Sequence, residues 1–155
     1  MGGIGKTQLA IAYAESACGF YSSVFWLNAV SEAALKEGFR SIAGFIFDVE
    51  KPGVLEDKEI VRRVHQWLSH PKNTEWLLIF DNYDDPDQFQ GDHYYPPASH
   101  GAVMVTTRRL DLVAGTALDI KPFQNIEDSL AILQTRSKRE NVQSGMVHPN
   151  KFRNH

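Results

Sequence analysis

A single cysteine, Cys18, stands in this chain of 155 residues, so no internal disulfide can staple the fold and stability has to come from a packed core. No run of about 18 apolar residues occurs, which excludes a spanning helix of the usual kind. The first residues lack a basic region followed by an apolar stretch, so no secretory leader is expected. Met1-Gly2 is no myristoylation signal, because Lys6 stands where that motif needs Ser or Thr. The six histidines show neither HExxH nor paired Cys/His spacing, which argues against zinc and places them as surface or loop residues. Positive charge is scarce as well. The formal net charge is −3, and five of the sixteen Lys/Arg lie between Arg136 and His155 with one acidic residue among them. The eleven that remain face eighteen acidic side chains, a body near −7 with no basic face to attract nucleic acid. These absences predict a cytoplasmic protein with no membrane and no nucleic-acid partner.

What is present is a core. At 43% hydrophobic residues, the chain is long enough for one sizeable domain. Lys6 to about Cys18 is rich in alanine with Leu9, Ile11 and Tyr13, and reads as a helix packed on more than one side. Val24-Phe25-Trp26-Leu27-Asn28 is a short apolar run of β-formers. Ser31 can cap a helix carrying Leu35, Phe39, Ile42, Ala43 and Ile46, ended by Lys51-Pro52-Gly53. A third helix is predicted over 57–68 with Ile60, Val61, Val64, Trp67 and Leu68 on one face. Trp76-Leu77-Leu78-Ile79-Phe80 reads as a central strand, and 102–106 as another. A short helix near 110–114, a brief strand near 118–120 and a helix over 126–133 complete the pattern. Strands without inside/outside alternation, separated by helices, predict a three-layer α/β fold around a parallel sheet covered on both faces. Residues 1–135 form the core of this reading, and 136–155 a basic, disordered tail.

Three segments carry chemistry. Gly2-Gly3-Ile4-Gly5-Lys6-Thr7 matches the end of GxxxxGK[ST], in which glycines let backbone N–H groups face phosphate, the lysine neutralises the β/γ charge and the threonine hydroxyl binds Mg²⁺. The helix beginning there adds its N-terminal dipole. Such a loop follows a strand that threads the middle of the sheet, and no residues precede it here to form one. The expectation is therefore a sheet lacking its first strand, with the peptide groups of two neighbouring strands left unpaired. Leu77-Leu78-Ile79-Phe80-Asp81 has the form of a Walker B strand, four apolar residues delivering a carboxylate to the edge where open α/β sheets bind ligands. Val105-Thr106-Thr107-Arg108 brings an arginine to the same edge, where it could sense a γ-phosphate through bidentate hydrogen bonds.

GGIGKTQLA, VFWLNA, WLLIFDN and GAVMVTTRR, in that order, resemble the NB-ARC domain of STAND-type P-loop NTPases, and the spelling WLLIFDNYDD is most similar to the fungal NOD-like receptor group. The resemblance spans about residues 2–133. It implies a signal-transduction switch, ADP-bound at rest and ATP-bound when active, inside a longer receptor whose other domains are its partners, with homo-oligomer formation on activation. Carried over by position, Gly2, Gly3, Ile4, Gly5, Lys6, Thr7 and Gln8 would hold the nucleotide, Thr7 and Asp81 the Mg²⁺, and Asp81 and Arg108 would be the catalytic pair. One departure matters: the second acidic position is Asn82, whose amide cannot act as a general base, which leaves Asp84 or Asp85 as substitutes and implies slow or absent hydrolysis. The family's adenine-contacting segment, Gly-Leu-Pro motif and Met-His-Asp motif are not in this chain.

Two other readings stand beside it. A small P-loop ATPase or kinase would need an acceptor site and an arginine-rich lid, neither of which the sequence offers. A fragment that binds no nucleotide and serves only as an interaction piece is the third. Phe89, Tyr94 and Tyr95 read as a loop packed over the sheet edge, and Asp84, Asp85 and Asp87 lack the glycine and glutamate of a calcium loop.

Overall fold

The computed structural model describes residues 5–17, 19–47, 55–85, 89, 91–109, 115–118 and 120. Helix α1 spans Lys6–Ser16, strand β1 Ser23–Asn28, α2 Glu32–Phe47, α3 Asp57–Leu68, β2 Trp76–Asp81 and β3 Ala102–Val105, with a 3₁₀ turn at Gly91–Tyr94. The strands form one parallel sheet in the order β1-β2-β3. Helices α2 and α3 cover the face carrying Phe25, Leu27, Leu78 and Phe80. On the other face α1 lays Ala10 and Ala14 against Leu77 and Ile79. This is the expected layered α/β arrangement, with β2 at its centre and all six of its residues buried.

The local reasons are those the sequence suggests. Ser31 Oγ accepts the Ala34 N–H at 3.2 Å and caps α2. Leu35, Phe39, Ile42 and Ala43 then recur at helical spacing and are buried. In α3 the buried stripe is Ile60, Val64 and Leu68. Tyr94 and Phe89 are buried against each other, and Phe80 meets Tyr95 edge-on, so the aromatic loop is packed as expected.

Several expectations are corrected. Strand β2 pairs directly with β3, Leu77 opposite Ala102 through Phe80 opposite Val105, and no gap separates them. Unpaired peptide groups in an interior are costly, and direct pairing satisfies both strands. Helix α1 is packed on one side only: Leu9 is 51% and Tyr13 41% exposed, because a small-residue stripe is all that meets the sheet. Residues 118 and 120 belong to no strand, and Leu118 is 78% exposed. The segments 110–114, 126–133 and 136–155, and Cys18, lie outside the described residues.

His65 is also no loop histidine. It sits half-buried on α3, edge-on to Phe39 at 5.7 Å, with Nε2 3.0 Å from the Tyr94 carbonyl. Burial pushes its pKa below the ordinary 6.5, and the hydrogen bond to Tyr94 only partly offsets this. The unfolded chain therefore takes up the proton first as the pH falls. The stability contribution is complete above about 6.5 and is lost as the pH falls from there through the folded value. Urea midpoints of the wild type should drop between pH 7.5 and pH 5.5 more steeply than those of His65→Gln; parallel profiles would refute the assignment.

Candidate functional site

The site is built where three chain segments end side by side. The α1 helix starts after Gly5, whose φ of 86° and ψ of 14° lie in the left-handed region that glycine adopts freely. The first intrahelical bond runs from the Leu9 N–H to the Gly5 carbonyl at 2.8 Å, so the amides of the first turn have no helical acceptor. Among the described residues neither a side-chain cap nor an acidic residue serves that turn. Lys6 and Thr7 are half-buried and Gln8 is exposed. Gly2, Gly3 and Ile4 lie outside the described residues.

Asp81 closes β2, opposite Asn28 of β1 in register, and is 6% exposed. Two hydroxyls converge on it. Thr7 Oγ1, 74 residues away in sequence, donates to Asp81 with its oxygen 2.9 Å from Oδ1 and 3.2 Å from Oδ2. Thr106 Oγ1 donates to Oδ1 at 2.6 Å. Thr106 just follows β3 and is itself buried; its backbone N–H bonds the Phe80 carbonyl at 2.9 Å and its carbonyl accepts the Tyr83 N–H at 2.9 Å. The direct pairing of β2 with β3 is what puts this hydroxyl beside the carboxylate. Sequence reasoning did not select Thr106. The available signal was a β-branched hydroxyl residue at the end of the strand that follows the Asp-bearing strand.

Asn82 turns the chain away from the sheet with φ 65°, the only positive φ of a non-glycine residue among the described ones. Asparagine tolerates this conformation better than most residues. Its N–H donates to Thr106 Oγ1 at 2.9 Å, while its side chain is exposed. The turn sends Tyr83 back into the core, where its hydroxyl accepts the Gly91 N–H at 2.9 Å. Asp84, considered above as a substitute base, is committed elsewhere: Oδ1 accepts the Arg108 backbone N–H at 2.7 Å and Oδ2 pairs with Arg108 Nε at 2.8 Å. Arg108 is 56% exposed, so the structure brings Thr7, Asp81 and Thr106 together and places Arg108 with Asp84.

Among the described residues hydroxyls alone serve this buried carboxylate, which is short of positive charge. Among the described residues no Lys, Arg or His pairs with Asp81, and burying an unpaired charge is expensive. Among the same residues no group of three His, Cys, Asp or Glu could hold a metal, so a closed protein cage for zinc or calcium is not formed here. One carboxylate and one hydroxyl suit Mg²⁺, which keeps several waters and takes its other ligands from phosphate. Thr7 Oγ1 stands at 2.9 and 3.2 Å from the two carboxylate oxygens, near enough for both side chains to reach one ion. The residues therefore fit the cation.

A scan against models of known protein families and a search of characterised proteins find no match to this chain. Among the described residues no helix is long and apolar enough to cross a membrane. The fold stands as a small α/β arrangement with a parallel three-stranded sheet.

Proposed function

We propose that this chain is a nucleotide-binding module, taking ADP or ATP with Mg²⁺, of the switch type that the NB-ARC resemblance implies. The observation that carries the reading is the contact of Thr7 with Asp81 across 74 residues. Two motifs read separately in the sequence meet at the one place where the phosphate and metal chemistry of each would be used. The left-handed Gly5 and the uncapped first turn of α1 add donors for a phosphate group. Lys6 supplies the charge that a β-phosphate needs. Bound Mg²⁺ would neutralise phosphate oxygens, and Thr7 and Asp81 are the side chains that would hold it.

Three features support binding without rapid turnover. The Asn82 amide is no general base, Asp84 is occupied by Arg108, and among the described residues no histidine joins the cluster, which leaves the exposed Asp85 as the remaining candidate. Arg108 stands as the γ-phosphate sensor in this reading, and a phosphate would have to compete with Asp84 for it. An ATP state would then differ from an ADP state by that exchange of partners, a differential contact of the kind that shifts a two-state equilibrium.

Calorimetric titration with ADP and with Mg-ATP tests the proposal. Saturable one-site binding is expected, strengthened by Mg²⁺, and Asp81→Asn should reduce that Mg²⁺ enhancement about tenfold or more. A folded chain that takes up neither nucleotide would refute the proposal.

A further inference from the structure

The two oxygens of Asp81 are not equivalent. Oδ1 accepts hydrogen bonds from both Thr7 and Thr106, at 2.9 and 2.6 Å, whereas among the described residues Oδ2 has only the longer 3.2 Å approach of Thr7. The Thr106 hydroxyl has little choice in this arrangement. Its oxygen already accepts the Asn82 N–H at 2.9 Å, so its own proton has to point at the carboxylate. Both ends of that hydroxyl are fixed by groups on or next to β2, and the residue is buried.

We infer that Thr106 is a positioning residue for cation binding: by saturating Oδ1 it fixes the carboxylate plane and leaves Oδ2 of Asp81, together with the lone pairs of Thr7, as the oxygens turned to Mg²⁺. This rests on the nucleotide-binding reading above. The argument is one of hydrogen-bond capacity. Thr7 spends its proton on Asp81 and so presents only lone pairs outward, which is the form a metal requires. A carboxylate with one oxygen doubly engaged cannot swing to offer that oxygen without breaking a bond in a buried place, where an unsatisfied hydroxyl is costly. Partners of metal ligands generally act in this way, fixing orientation, and their removal lowers metal affinity about 10–100-fold. Asn82 belongs to the same device, since the left-handed turn at that residue is what aims its N–H at the Thr106 oxygen.

The test compares fluorescent ADP binding in excess Mg²⁺ and in EDTA for the wild type, Thr106→Val, Thr106→Ala and Thr106→Ser, with thermal midpoints recorded for each. For Thr106→Val the affinity in EDTA should stay within about twofold of wild type while the Mg²⁺ enhancement falls by about tenfold or more. Thr106→Ser, which keeps the hydroxyl, should restore the enhancement. Thr106→Ala removes the hydroxyl without adding a methyl, and serves where the valine variant does not fold. An enhancement that survives in the folded Val or Ala variant overturns the inference, and so does an equal loss in Mg²⁺ and in EDTA, which marks a merely structural role. If the wild type binds in neither condition, the nucleotide reading itself fails and this inference falls with it; if the wild type binds and the enhancement is insensitive to Thr106, only this inference fails.

Discussion

Lys6→Ala is expected to lower ADP and Mg-ATP affinity by at least 30-fold while leaving the thermal midpoint unchanged or slightly raised, a loss of roughly 2–5 kcal/mol from removing one member of a desolvated charge pair. The two halves of that expectation come from one feature. Lys6 is the first residue of α1, and the first turn contains no acidic side chain. A cation at a helix N-terminus opposes the helix dipole by about 0.3–1 kcal/mol. Among the described residues Lys6 takes part in no ion pair that would repay this. The fold therefore gains nothing from the lysine, which an anionic ligand would justify. Calorimetry together with a thermal melt reads both halves, and a variant that binds as well as wild type would remove the phosphate role of Lys6.

Gly101→Ala should be the most damaging single-methyl change in the described sheet. Gly101 precedes β3 with φ 75°, and a Cβ there would overlap the indole ring of Trp76. Trp76 cannot easily give way. It is 2% exposed, and its Nε1 donates to the Leu68 carbonyl at 2.8 Å. The left-handed backbone costs an alanine roughly 1–2 kcal/mol, and overpacking adds about 1–3 kcal/mol. Together these take a large part of a total stability of about 5–15 kcal/mol. Urea denaturation followed by circular dichroism gives the value. Trp76→Leu should cost stability alone yet be less than additive with Gly101→Ala, because it removes the atoms the methyl strikes. A Gly101→Ala midpoint equal to the wild type's would disprove the clash.

Much of this architecture was legible in the sequence. The unbroken apolar run ending at Asp81 marked β2, the Leu35/Phe39/Ile42/Ala43 spacing marked α2, and the predicted range of α3 matches the observed Asp57–Leu68. These signals are local, so periodicity and capping suffice. Thr7 and Asp81 could be paired from a distance because their residue types have one chemistry in common. What stayed hidden depends on tertiary placement. Whether β2 and β3 touch is a property of the sheet, and only their contact gives Thr106 its acceptor. The partner of Arg108 follows from the course of the loop after Asn82. The exposed side of α1 could not be read because an alanine-rich helix carries almost no directional signal. His65 could have been found, since it lies four residues after Val61 and three before Leu68 on a face otherwise apolar.

The β2–β3 ladder also bears on the order in which the sheet assembles. Leu77 and Ala102 are 25 positions apart, whereas Val24 and Leu77 are 53 apart, with α2 and α3 between them. Each doubling of a loop adds about 0.6 kcal/mol to the entropy lost on closing it. The seam that seats Thr106 beside Asp81 is thus the cheaper of the two to close, and chain entropy favours its forming before β1 docks. The carboxylate would acquire its hydroxyl neighbour from β3 on a partly assembled sheet, and the docking of α1, which brings Thr7, would complete a site already begun.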